Sequence, residues 1–402
     1  MIAADRSSRL ESWAFGFAFF ASVLSFVSIA AFQICLGAAL ALLLLARKPL
    51  EMPPLKAPLA LFVGWTVVAL VASDDMTAGL PQIKKFFVLL MLPLIYTLFR
   101  TTTSAVRLME GWFAVGVITV GVGFVQFYLK WRRSVALNEP FLQGYEGDRI
   151  TGLMSHWMTF SETTLLILAA LASYVLFRKM SRTGAALWPL VLGWLATGIV
   201  LSFTRSVWIA AAVLAVYFVA ISKPRLLLLA PVALAVLAVA SPESLKTHIQ
   251  SITSPDARSA RVIMWRTGAQ MIEVNPWFGV GLEQVGPRFA EFMPTDVPDE
   301  LPAAYYAHLH NTFVHYAAER GLPVVLALLW LFGKVLWDLS NAVRRASPGS
   351  GDARFLLQAA IAGTVCVLII SLFNVSLGDS EVMGAWLAMV AVGYRAAESV
   401  PG

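Results

Sequence analysis

Charge is what this 402-residue chain has least of: Asp, Glu, Lys and Arg make up 13% of it, against 58% hydrophobic residues. Soluble domains carry nearer a quarter of charged residues, so a water-soluble core does not account for the balance. Cysteine is scarcer still, at two residues. Cys35 and Cys366 both lie in apolar runs, where a thiol packs as a small hydrophobe, and no disulfide or metal framework follows from two of them. Histidine amounts to five residues, no two of them at the i, i+4 spacing of a zinc helix and none beside a Glu as in a metalloprotease. No repeat of fixed period and no low-complexity tract is present, and Ala346 to Gly351 reads as a short connecting loop.

What the chain has in quantity is uninterrupted apolar sequence. Ala57 to Ala72, Phe86 to Phe99, Ala185 to Leu201 and Leu226 to Ala240 contain no ionised side chain. A helix crosses the hydrocarbon of a bilayer, about 30 Å thick, with roughly 17 to 25 residues. A closed barrel would need strands of about 10 residues alternating apolar and polar, whereas these runs are apolar all round. The pattern predicts an all-α integral membrane protein of about twelve transmembrane helices, at 12–28, 30–46, 57–73, 84–99, 110–129, 160–177, 185–202, 206–221, 225–240, 318–338, 354–373 and 380–395. Arg6 and Arg9 before an apolar stretch imitate a signal peptide, but no cleavage site in a polar setting follows, so the first two runs read as a retained hairpin.

An even number of spans places both termini on one side. If that side is cytoplasmic, its short segments hold 17 of the 30 basic residues. The other side holds seven in short loops and six in or beside one long loop, which the positive-inside bias discounts. The excess of positive charge, +6 in all, thus reports topology rather than nucleic-acid binding. Both termini are expected in the cytoplasm, with two substantial loops on the other side of the membrane, 130–159 and 241–317. The organisation expected is helices 1–9 over 1–240, a large outer loop over 241–317 and helices 10–12 over 318–402.

Function is sought in those loops. Ser254-Pro255-Asp256 has the form of a helix start, a Ser cap followed by Pro in the first turn. In the helix that follows, to about residue 273, Arg258, Arg261, Val262, Trp265, Ala269 and Ile272 fall on one face. Two arginines near a helix N-terminus, with its free N–H groups and dipole, suit an anion such as phosphate; pairing with Asp256 or other acids on a solvated surface is the plainer account. Arg205, in the Ser202-Phe203-Thr204-Arg205-Ser206 turn between two apolar runs, is a cation at the membrane face. Such a residue is a functional candidate, with lipid-headgroup anchoring as the alternative. His308, His310 and His315 bunch together before the span at 318. On a helix His308 and His315 share a face and His310 points away. A neutral imidazole there can act as a general base. Asp74 and Asp75, in another outer loop, read as solvated charges.

At this point the order of features resembles a known family. Arg261 to Trp265, Asn275-Pro276-Trp277-Phe278-Gly279-Val280-Gly281, His310-Asn311 and Glu319-Arg320-Gly321-Leu322-Pro323 are similar to the bacterial O-antigen ligase and polymerase superfamily. Arg205 looks like the arginine that family places ahead of its long periplasmic loop. The resemblance implies a glycosyltransferase of the GT-C type, taking O-antigen polysaccharide from an undecaprenyl diphosphate donor to the lipid A-core oligosaccharide at the periplasmic face of the bacterial inner membrane, the loop over 241–317 then being periplasmic. It also implies that Arg205 and Arg261 hold the diphosphate, that His310 acts near the acceptor hydroxyl, and that Asn311 orients that histidine or caps its helix. Arg258, Arg266 and His308 are weaker substrate-binding candidates. No cofactor and no metal are expected, since the first outer loop, near Ser28 to Phe32, lacks the acids that metal-dependent GT-C enzymes use there.

Three alternatives stand beside this. An O-antigen polymerase is described by arginine-led motifs with a glycine eleven positions later; only Arg100, Arg133 and Arg182 meet that spacing, and two of these fall on the cytoplasmic side. A protein O-oligosaccharyltransferase usually has a further C-terminal periplasmic region, whereas this sequence stops just past its last span. A polyprenyl-glycan flippase or transporter tends to show internal repeats and charges at the bilayer midplane.

Overall fold

The computed structural model describes residues 2–229, 255–297, 301, 305–306, 308–347 and 349–400; the side chains of 2–6, 143, 227–229 and 255–259 lie outside that description. In chain order the helices are α1 (Ile2–Leu24), α2 (Ile29–Leu45), α3 (Lys56–Val71), α4 (Met76–Lys85), α5 (Met91–Leu98), α6 (Thr102–Leu137), α7 (Phe141–Tyr145), α8 (Trp157–Phe177), α9 (Arg182–Leu201), α10 (Arg205–Ser222), α11 (Pro255–Val274), α12 (Thr312–Arg320), α13 (Leu322–Arg345), α14 (Gly351–Ser371) and α15 (Ser380–Glu398). No strand occurs among the described residues.

Seven helical stretches among them are long and apolar enough to cross a bilayer: the continuous Met76–Leu98 run, α6, α8, α9, α10, α13 and α14. The helices α2 and α3 are apolar but shorter, at 17 and 16 residues. The span expected at 225–240 falls mostly outside the described residues. By this measure the described residues are those of an all-helical membrane protein with seven candidate spans, and the expected number of twelve is neither reached nor excluded by them. One span is also longer than predicted. The expected 110–129 is the middle of α6, whose 36 residues run into the loop assigned to 130–159.

At the centre, α8 and α14 are buried along most of their length and pack on each other, on α15 and on α6. By contrast α9 and α10 are largely exposed, and Leu44, Leu45, Val71 and Leu190 stand two-thirds or more open. An apolar belt of that kind is the surface a bilayer covers.

Polar networks mark the two ends of the bundle. At one end Arg178 bridges Glu110 and Asp352, each at 2.8 Å. At the same end Arg395 pairs with Glu51 and Glu398, and Lys48 reaches Glu11 at 3.1 Å. This end gathers the starts of α1, α6 and α14 with the finish of α8 and α15. At the other end sit the start of α8, the turn between α9 and α10, α11, α12 and the 372–379 connection.

At that second end α11 and α12 close a small core of Met264, Met271, Val280, Val285, Phe289, Leu309 and Ala318. The buried stripe of α11 is Met264, Thr267, Gly268 and Met271, while Val262 and Ala269 face out. This corrects the face predicted from periodicity, because packing chose the side that meets Leu309 and Val314. A Cβ on Gly268 would stand 2.7 Å from both.

Candidate functional site

The site is assembled from four segments that are distant in sequence. The first is the turn between α9 and α10. Phe203 has φ +51, a left-handed conformation that costs a residue with a Cβ about 1–2 kcal/mol. Two side chains from the 141–150 segment hold it there: Tyr145 Oη donates to the Leu201 carbonyl at 2.5 Å, and Arg149 Nη1 donates to the Phe203 carbonyl at 2.8 Å. The turn delivers Arg205 as the first residue of α10, beside the free N–H groups of that helix start.

The second segment is the first turns of α11. Arg261 lies half-buried with its guanidinium over the Phe373 ring at 5.6 Å. Burial first, and then repulsion from Arg205, lowers its pKa from the ordinary value. Arg149 is lowered likewise by burial, with Glu146 opposing and Arg205 adding to the effect. Arg149, Arg205 and Arg261 therefore lie close together, with the Glu146 carboxylate near the first two.

The third segment is residues 308–311, ahead of α12. Asn311 caps α12, its Oδ1 accepting from the N–H groups of Phe313 and Val314 at 2.9 and 3.1 Å, while its Nδ2 donates to the Leu372 carbonyl at 3.2 Å. Trp265 Nε1 donates to the Leu309 carbonyl at 3.1 Å, tying the loop to α11. His310 takes φ +48 and turns its ring edge-on to His308, with centroids 4.1 Å apart. The two histidines predicted to point apart thus meet, because 308–311 is not helical and α12 starts only at Thr312. Burial pushes His310 down to about 3, helped by His308, Arg261 and His315, so its imidazole is neutral at physiological pH. His308 is lowered mainly by burial, with Asp379 opposing, and its Nδ1 is buried without a hydrogen-bond partner.

The fourth segment is the 372–379 connection. Asn374 Nδ2 donates to Glu162 of α8 at 2.7 Å, and Asp379 accepts from Thr159 of the same helix at 2.8 Å. Burial raises the Asp379 carboxyl, while Thr159, His156, Lys85 and His308 lower it. His156 caps α8 with its Nδ1, which accepts from Met158 N–H at 3.2 Å.

The predicted residues thus divide. Arg205, Arg261, His308 and His310 come together, with Asn311 holding the His310 loop at the start of α12. Arg266 does not join them: it is exposed and held in a two-point pair by Asp296, both contacts at 2.9 Å. Arg258 keeps its place in α11, but its side chain, like the Ser254 cap, lies outside the described residues. Arg149, His156 and Asp379 were missed. Arg149 lies in the 130–159 loop, one of the two where function is sought, and Asp379 is an acid between two apolar runs; a rule giving every loop charge beside an apolar run the weight given to Arg205 finds both.

The Asn275–Gly281 and Glu319–Gly321 segments have a structural part. Gly321 has φ +88, and a Cβ there would stand 1.9 Å from the Trp277 carbonyl oxygen. Val280 N–H donates to the Ala318 carbonyl at 2.8 Å and Leu322 N–H to the Pro276 carbonyl at 2.8 Å. Trp65 of α3 stacks on Phe278 and donates to the Trp277 carbonyl at 2.8 Å. Beneath them Glu319 and Arg320 form a buried pair at 2.8 Å, and Glu319 also accepts from Glu283 N–H at 2.9 Å.

A search of curated proteins finds no match to this chain. Residues 190–329 match the family model described as O-antigen ligase. That stretch, about a third of the chain, carries Arg205, Arg261, His308, His310 and the Glu319–Arg320 pair, and in it the chain is similar to the O-antigen ligase family.

Proposed function

We propose that this protein is a GT-C-type glycosyltransferase that moves O-antigen polysaccharide from undecaprenyl diphosphate to the lipid A-core oligosaccharide, at the periplasmic face of the bacterial inner membrane. The observation that carries the reading is the clustering of Arg149 with Arg205, Arg261 and His310, the last three inside the family-matched segment, at the end of the bundle away from the start of α1. Three guanidinium groups near a single Glu146 carboxylate leave net positive charge under partial burial, which an anionic ligand offsets.

A prenyl diphosphate leaves readily once its charge is neutralised. The acceptor hydroxyl oxygen forms a bond to the anomeric carbon as the bond from that carbon to the diphosphate oxygen breaks. Guanidinium groups can hold two diphosphate oxygens at once, so no acid is required on the leaving group. The acceptor's proton passes to His310. A neutral imidazole has a free lone pair for it, and the arriving diphosphate raises the basicity that burial and Arg261 suppress. His308 and Asp379 extend the polar path behind His310.

In this reading the segment from 241 to 317 is the periplasmic loop region between two sets of transmembrane helices. The ligase is favoured over a polymerase because the arginine–glycine spacing of the latter falls on the cytoplasmic side for Arg100 and Arg182. Purified protein in detergent, given labelled undecaprenyl-diphosphate glycan and lipid A-core, should form labelled lipopolysaccharide. Extension of the donor in the absence of lipid A-core would assign a polymerase instead. No transfer to any acceptor would overturn the reading, and a flippase has no measurable task under these conditions.

A further inference from the structure

The arginine cluster leaves a neighbouring cleft unexplained. At the site end of α6 a cavity of about 480 Å³ opens between that helix and the 139–148 segment, within the size range of small-molecule sites. It is lined by partly exposed Phe141, backed by buried Tyr145, the two rings 5.0 Å apart and inclined at 30°. Its lining also carries Lys130 and Arg133 from α6 together with Glu139 and Asp148. Lys130 and Asp148 pair at 2.5 Å.

Two features point to the class of ligand. The lining charges cancel, two cations against two carboxylates, so a bare phosphate gains little there. Carboxylate, ammonium and guanidinium groups beside an aromatic ring suit a polyol, whose hydroxyls donate to the first and accept from the others while its C–H face lies on the ring. The place also fits. At 1.5 Å per residue the 36 residues of α6 run about 54 Å, well beyond a hydrocarbon core of about 30 Å. Exposed Tyr128 and Trp131 sit where aromatic residues mark the membrane interface. The cleft lies just past them, at the depth where a glycan emerges from its lipid. Tyr145 also joins it to the reaction site: its hydroxyl holds the Leu201 carbonyl, and its ring meets Phe203 edge-on at 5.4 Å, next to Arg205.

We propose that this cleft is a saccharide-binding subsite that takes sugar residues of one of the two glycan substrates, an inference that rests on the glycosyl-transfer reading above. The shared chemistry is a neutral oligosaccharide face on Phe141 with hydroxyls on Glu139. The test is saturation-transfer NMR on the full chain in detergent with two probes, the oligosaccharide released from the lipid-diphosphate donor and that released from lipid A-core. The variants are Phe141→Leu, which keeps bulk without the ring, and Glu139→Gln at an exposed position, each checked for wild-type thermal unfolding.

Binding of at least one probe by wild type, weakened five-fold or more in both variants, is expected, and the probe that binds identifies which substrate occupies the cleft. Absence of binding by both probes, or unchanged affinity in either variant, overturns the subsite. The readout needs no turnover, so transfer by a wild-type protein that binds neither probe removes the subsite alone. Probe binding without transfer removes the transferase reading alone.

Discussion

Arg149 donates a 2.8 Å hydrogen bond to the carbonyl of Phe203, two residues ahead of Arg205, and so one cation sets the backbone that presents another. It also donates from Nε to the Glu146 carbonyl at 3.1 Å and lies over the Trp157 ring at 5.4 Å. Arg149→Gln should lower transfer on the order of ten- to a hundred-fold, the worth of a hydrogen bond to a charged group. Arg149→Lys should recover little, because an ammonium cannot reproduce the fork that spans two carbonyls. Wild-type kcat/KM in the Gln variant would remove Arg149 from the site.

For His310 the sign of the pKa shift decides the pH profile. Its pKa is lowered to about 3, so the ring stays neutral as pH falls through the ordinary imidazole range near 6.5. The profile of kcat/KM for the donor, which reports the free enzyme, should therefore show no acidic limb from His310 between pH 5 and 8. Bound diphosphate adds negative charge beside the ring and raises its pKa, so any such limb belongs in kcat and should vanish in His310→Gln. A limb near 6.5 in kcat/KM that His310→Gln abolishes would mean the ring is neither desolvated nor repelled in solution.

The Glu319–Arg320 pair is buried, with both side chains 3% exposed or less. Arg320→Met strands a buried carboxylate and should cost about 3–5 kcal/mol, seen as a lower thermal unfolding midpoint in detergent. The double variant Glu319→Gln, Arg320→Met removes both charges but keeps an acceptor for Glu283 N–H, and should recover most of the loss. Equal midpoints for the two variants would show that the charge is not what the pair manages.

Among the described residues no three His, Cys, Asp or Glu side chains group in a way that could hold a metal ion. Activity is expected to persist in excess chelator, the arginines supplying the charge a divalent cation would. Turnover lost in EDTA and restored by one divalent ion would contradict this.

Sidedness is testable at Thr295, which is exposed beside Asp296. A Thr295→Cys variant should react with an impermeant maleimide added to intact spheroplasts. Labelling only after the inner membrane is opened would invert the proposed topology.

Much of this protein is determined by the sequence by itself. Apolar runs the length of a bilayer can satisfy their backbone groups only as helices, so the all-helical fold follows from composition and run length. A cation in a short turn between two such runs is expensive wherever it sits, which is why Arg205 stands out before any coordinates. The tertiary structure decided what periodicity and local spacing do not encode. The buried face of α11 was chosen by Leu309 and Val314, not by its own apolar stripe. His308 and His310 meet because Asn311 starts a helix one residue later and leaves them in a loop with φ +48 at His310. Arg149, His156 and Asp379 enter the site through contacts across 50 to more than 200 residues, with Phe203, Asp379 and Thr159 as partners. Arg266 left it for a reason equally remote in sequence: Asp296, 30 residues on, meets its guanidinium at two points.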